Sequence, residues 1–273
     1  MSGSRIKNLI LLVLTASALC LLLVVVPNRM AQIHEQRQML EQLRTLYGGY
    51  GISLELDELP RSATLYSVEL GGEQQTAVQA LLGQKAVMTS DPDRFETEYS
   101  SELGTLQLTR TGGFSAMLTG SKRAGQPEAA ARKLLRSMGF QAASVQQLQQ
   151  QADGTAVVQA GQSLLGVPVF GSMLQLTYRQ EQLVQLEGTF YLGSESITRV
   201  SEQQSISCAD ALTQLLASRD VLGWVGESVR QLTQGYLPTE TAASGIRFVP
   251  VWYIETDSGS FYVNAITREI SAV

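Results

Sequence analysis

From Leu9 to Val26 the chain reads LILLVLTASALCLLLVVV, an uncharged run that limits what the rest of the molecule can be. As a helix rising about 1.5 Å per residue it is about 27 Å long, close to the hydrocarbon thickness of a bilayer. In lipid every backbone amide must be satisfied inside the segment, so helix is the expected conformation. Leu9, Leu12, Leu19, Leu22 and Val26 are its expected anchoring residues. Arg5 and Lys7 precede the run, which predicts a cytoplasmic N-terminus and an extracytoplasmic remainder. A cleaved signal peptide would carry a shorter apolar core and a small-residue site, and nothing around Pro27 supplies one. Lipoprotein processing needs a small residue before the cysteine, where Leu19 stands before Cys20. The reading is a single-pass cell-membrane protein with residues 1–27 as tail and uncleaved anchor.

Setting the anchor aside changes the charge balance. The first acidic residue is Glu35, so all 25 follow the run, against 18 of the 20 basic residues once Arg5 and Lys7 are removed. The outer part carries about −7 at neutral pH. An acidic head without a basic stripe argues against nucleic acid and against anionic lipid headgroups. With Cys20 in the anchor, Cys208 has no intramolecular partner outside it, so no structural disulfide is expected.

Residues 28–50 read as a juxtamembrane helix. Asn28 to Tyr47 contains neither Gly nor Pro and is rich in Gln, Glu, Arg, Met and Leu. Ile33, Leu40 and Tyr47 recur every seven residues with Leu43 beside them, about two heptads and too short for a coiled coil. Two readings stay open. These residues either meet a partner's membrane-proximal helix or a second copy, or they pack on the first domain as part of a solvated spacer. Gly48, Gly49 and Gly51 end the helix.

Beyond Gly51 a helix-then-hairpins order repeats three times. In the first unit, 51–120, Ala77, Val78, Leu81 and Leu82 share a helix face, and FETEYSS, GTLQLTR and FSAMLTG follow as strands. The second, 121–200, opens with Pro127 and a helix bearing Ala131, Leu134, Leu135 and Met138, then runs into hairpins at Asp153-Gly154 and Arg179–Gln182. The third, 201–273, starts at Ser207 with Asp210 as an acidic capping box and places Cys208, Leu212, Leu215 and Leu216 on one face. Cys208 reads as a core residue. A final hairpin, RFVPVWYIET and SFYVNAI, turns at Asp257-Ser258-Gly259. The fold class predicted is α+β: a transmembrane helix and stalk helix, then repeated modules of one short helix packed on an antiparallel sheet. Trp252, Tyr253, Phe261 and Tyr262 alternate sides of that hairpin. Trp252 and Tyr262 are candidate partner contacts alongside Ile33, Leu40, Leu43 and Tyr47.

GVPVFGSMLQLTYRQEQLVQLEG, Gly166 to Gly188, resembles the propeptide modules of secreted thermolysin-type metalloproteases. VPVWYIETDSGSFYVNAITREI, Val249 to Ile270, resembles the related PepSY-type module, with Arg268 where that pattern has a turn glycine. The anchor, the short stalk and the entry Gly51, Ile52, Leu59, Pro60 are similar to the YycI and YycH proteins, single-pass regulators of a sensor histidine kinase in Gram-positive bacteria. The resemblance implies a partner in the same membrane, either a sensor kinase or a second anchored regulator.

The inventory of reactive residues excludes most enzyme classes. There is no H-E-x-x-H and no phosphate-binding G-x-x-x-x-G-K-[ST], and the one histidine, His34, lies in the stalk. Asp91 with Asp93, and Glu55 with Asp57 and Glu58, read as turn and surface carboxylates. No catalytic, cofactor-binding or metal-binding residue is expected. The function expected is a membrane-tethered extracytoplasmic adaptor acting through protein contacts. The alternative is a propeptide-like inhibitor or folding assistant of a secreted hydrolase, acting in trans.

Overall fold

The computed structural model describes residues 34–71, 75–91, 96–119, 125–150, 154–191, 196–241 and 245–273. The expected anchor with Leu9, Leu12, Leu19, Leu22 and Val26 lies outside them, as does Ile33. Among the described residues no helix is long and apolar enough to cross a membrane.

The described chain is α+β and mostly antiparallel sheet with few helices. It opens with a helix over residues 34–48 (α1), then β1 (Ser53–Leu54) and β2 (Val68–Leu70). Next come α2 (Gln75–Leu82), β3 (Val87–Asp91), β4 (Glu96–Ser101), β5 (Gly104–Thr109) and β6 (Gly113–Leu118). The middle holds α3 (Pro127–Ser137), β7 (Ala142–Gln150), β8 (Thr155–Leu164), β9 (Val167–Arg179), β10 (Gln182–Thr189) and β11 (Ile197–Arg199). The end holds α4 (Cys208–Ala217), α5 (Arg219–Leu222), β12 (Ser228–Glu240), β13 (Ile246–Thr256), β14 (Gly259–Asn264) and β15 (Ile270–Ala272).

Local rules explain the helix ends. Pro127 opens α3, where its missing N–H costs nothing. The Ser207 hydroxyl accepts from the Asp210 amide while the Asp210 carboxylate accepts from the Ser207 amide, so the acidic capping box forms reciprocally.

The expected three consecutive modules are organised differently in space. Strands β3 to β6 join β10, β9, β8 and β7 in that order, giving one antiparallel sheet from what reads as two units. The joint is β6 against β10, where Phe114 sits opposite Gly188 and Ala116 opposite Leu186. Helices α2 and α3 cover one face, and a single core runs from Ala77 through Leu135 and Leu176 to Phe190. By contrast, β1 and β2 leave the first unit for the C-terminal sheet: β1 lies parallel to β12, and β2 pairs with the far end of β13. A short helix on three hairpin strands buries too little apolar surface to stand alone, so the first two units share one core.

Strand β9 links the sheets. Val167 and Pro168 pair with the end of β8 and Val169 pairs with Tyr236 of β12 in parallel, whereas from Met173 the strand pairs with β8 and from Leu174 also with β10. Between them Gly171 has φ +74°, and the buried positions shift from odd (Val169) to even (Ser172, Leu174). An irregular residue in the left-handed region thus re-aims the strand from one core to the other, as a bulge does.

Helix α1 belongs to the C-terminal core rather than to the first unit. Leu40, Leu43 and Tyr47, spaced three and four apart, are buried with Leu212, Leu215, Trp252 and Val263. Tyr47 is fully buried, and its hydroxyl donates to the Leu212 carbonyl at 2.7 Å. Burial holds the Tyr47 phenol well above its ordinary ionisation range, so it stays neutral and remains a donor. Tyr47→Ala is expected to lower stability by about 3–5 kcal/mol, as for other large aromatic truncations. Tyr47→Phe should lower it by only about 1 kcal/mol, the net worth of one hydrogen bond. Urea denaturation of the two variants measures the difference.

Candidate functional site

Alternation along the last hairpin sorts its aromatics. Trp252, Ile254, Phe261 and Val263 face inward. The Trp252 indole N–H donates to the Ile206 carbonyl at 3.0 Å, so this ring is wholly committed to the core. Tyr253 and Tyr262, paired across β13 and β14, take the opposite face and are half-buried there. Leu40, Leu43 and Tyr47 are also committed inside the chain. Of the described candidate contacts, Tyr262 lines a groove on the outer face of this hairpin, and Leu40, though buried, also borders a cleft beside α1.

The Tyr262 groove, of about 440 Å³, crosses β12, β13, β14 and β15. Leu237, Val249 and Val251 provide apolar lining, with Tyr262, Asn264 and Ile270 beside them. Glu269 is the sole carboxylate in the lining. Its position is set by the turn between β14 and β15. The Asn264 side-chain oxygen accepts from the amides of Ile266 and Thr267, and the Arg268 amide donates to the Asn264 carbonyl. Arg268 adopts φ +66°, in the left-handed region that residues with a Cβ seldom enter. The turn closes with the Asn264 amide donating to the Glu269 carbonyl and the Thr267 hydroxyl donating to the Glu269 carboxylate at 2.9 Å.

Phe170 completes the face from β9. Its ring centroid is 5.6 Å from that of Tyr253 and 5.3 Å from that of Tyr262, and the two tyrosines are 5.6 Å apart. Gly235 makes this reach feasible. A Cβ there would lie 2.5 Å from the Phe170 ring and 2.6 Å from the Pro168 carbonyl, both forbidden. The Tyr253 hydroxyl hydrogen-bonds Ser260 at 2.9 Å. Burial, then the neighbouring Tyr253, pushes the Tyr262 phenol above its ordinary range, keeping it neutral. No sequence signal joins Phe170 to this cluster, because its partners lie more than eighty residues away on another sheet.

Two other surfaces differ in character. On the uncovered face of the eight-stranded sheet, Glu98, Gln107, Ser115, Glu187, Gln175 and Gln159 are cross-strand neighbours in one polar row. Beside α1 a cleft of about 500 Å³ lies between Arg37 and Leu40 on one side and Asp57, Glu58 and Arg61 on the other. Cys208 is buried, and burial pushes its thiol up, away from the reactive thiolate. Among the described residues no group of three or more His, Cys, Asp or Glu side chains is placed to hold a metal ion.

No family model matches the chain, and no curated protein matches its sequence. Among solved structures, an uncharacterized protein from Eubacterium rectale ATCC 33656 is similar at 7% identity and a TM-score of 0.47, covering 81% of this chain and 85% of that one. The Bacillus megaterium YpeB C-terminal domain is similar at 14% identity and a TM-score of 0.34, covering 75% of this chain and 99% of that one. Both likenesses fall below a TM-score of 0.5, and neither fixes a family.

Gly235→Ala is expected to lift Phe170 from the tyrosine pair and to cost about 1–3 kcal/mol, as overpacking does. The check is loss of near-ultraviolet circular dichroism with unchanged far-ultraviolet signal in the folded variant. An unchanged aromatic spectrum would mean that the ring does not rest on Gly235.

Proposed function

We propose that the chain is a single-pass membrane protein with an extracytoplasmic head that acts as a regulatory adaptor through protein contacts. In this reading its partner is a sensor kinase, or a second anchored regulator, in the same cell membrane. The observation that carries the reading is the docking of α1. Its apolar face is consumed by the C-terminal core, so the helix described over residues 34–48 is part of the head. In this reading the docked helix passes a shift of the anchor on to the head, where a free spacer would absorb it. PepSY-like character at Val249–Ile270, from which Arg268 departs at the turn, supports a binding module of the kind the YycI and YycH resemblance implies. Contacts between adjacent transmembrane helices, driven by packing rather than by expulsion from water, then couple the partners.

Two measurements test this. Carbonate extraction and protease treatment of intact cells should leave the chain in the membrane with its head digested from outside. Recovery of a soluble form trimmed after Pro27 contradicts the anchor. Replacing residues 9–26 by an unrelated apolar helix should then abolish the effect on the kinase, read as output of its response regulator. Unchanged output rejects coupling through the membrane. Retrieval of a secreted hydrolase by the full chain would favour a propeptide-like role in trans.

A further inference from the structure

Resting on the reading that this chain acts by binding protein, we propose that the groove between β12 and β15, with its Phe170–Tyr253–Tyr262 platform, receives a cationic, apolar segment of an extended polypeptide from the partner. The groove crosses β12 to β15, and β13 runs through its floor. Along β13, Val249 and Val251 of the lining and Tyr253 just beyond it share one side at about 7 Å, the repeat of same-side residues in any extended chain. An extended segment laid along β13 on this side therefore meets apolar lining first and the tyrosine rings next.

Charge selects the sign of that segment. Glu269 is braced by Thr267 and forms no ion pair among the described residues. Glu255, two residues beyond Tyr253 on the same face, is likewise without one. Arg247, the basic residue on the neighbouring end of β13, is already taken by Glu69 at 3.1 Å. Arg268 adjoins Glu269 in sequence but makes no ion pair with it. Half-exposed tyrosine faces flanked by uncompensated carboxylates attract lysine or arginine side chains, by cation–π contact and by direct pairing. The same charges repel nucleic acid and anionic lipid, leaving a basic peptide as the matching macromolecular ligand.

The test uses the full chain in phosphatidylcholine nanodiscs and two fluorescent eight-residue peptides, one alternating leucine with lysine and the other leucine with glutamate. Anisotropy should show saturable binding of the lysine peptide alone. Glu269→Lys and Tyr262→Ala should each weaken it at least about tenfold, while Glu269→Gln, which leaves the turn and fold intact, weakens it less. Glu98→Lys, the same charge change on the other sheet, should leave binding within about twofold of the parent. Equal loss from Glu98→Lys, equal binding of the glutamate peptide, or no effect of Glu269→Lys overturns the site. Self-association of the chain that Glu269→Lys abolishes, with no peptide binding, assigns the face to a second copy and also overturns it. The anchor exchange does not involve the groove, so peptide failure with intact anchor dependence removes this site and leaves the adaptor reading standing. Peptide binding with no anchor dependence does the reverse.

Discussion

Tyr47 inside the C-terminal core is the contact on which the rest of this molecule depends. A buried phenol is tolerated because its hydroxyl reaches the Leu212 carbonyl, while its ring and the side chains of Leu40 and Leu43 lose their water. Each such apolar side chain contributes about 1.5–3 kcal/mol when buried, against a net domain stability of about 5–15 kcal/mol. Three of them on one helix therefore decide where α1 lies. Once α1 and α4 cover the inner face of the C-terminal sheet, Trp252, Phe261 and Val263 must turn toward them. The pleat then sends Tyr253 and Tyr262 outward. The open face is a consequence of the covered one.

Strand β9 carries that arrangement across the molecule. Near its start Val169 joins the C-terminal sheet and Phe170 reaches the tyrosine pair, while its later residues form the middle of the eight-stranded sheet. Gly171 allows both by changing which residues face inward. The aromatic platform is thus made by two sheets, and the space left by Gly235 lets them meet.

Much of this was legible in the residues, and what was not has a physical cause. Helices and hairpins follow from period and turn chemistry, which are local: the capping box at Ser207 and Asp210 and the alternation of Trp252 with Tyr253 are both readable from spacing. Partners are not local. Nothing in GTLQLTR or FSAMLTG says that β6 will pair with a strand about seventy residues later, so the first unit reads as separate when its strands belong to two cores. The heptad-like spacing of Leu40, Leu43 and Tyr47 marks a buried face without saying what buries it. The groove was visible only through Tyr262, because Glu269 acquires its setting from a turn that Arg268 closes in an unfavourable backbone region.

The central claim is that α1 is an integral part of the head in the intact protein. Hydrogen exchange on the full chain in a bilayer tests it most directly. Amides of residues 40–48 should be protected to the same degree as those of β13 and lose protection together with them in denaturant. Exchange of α1 many orders of magnitude faster than β13, as in a frayed or free helix, would contradict the account.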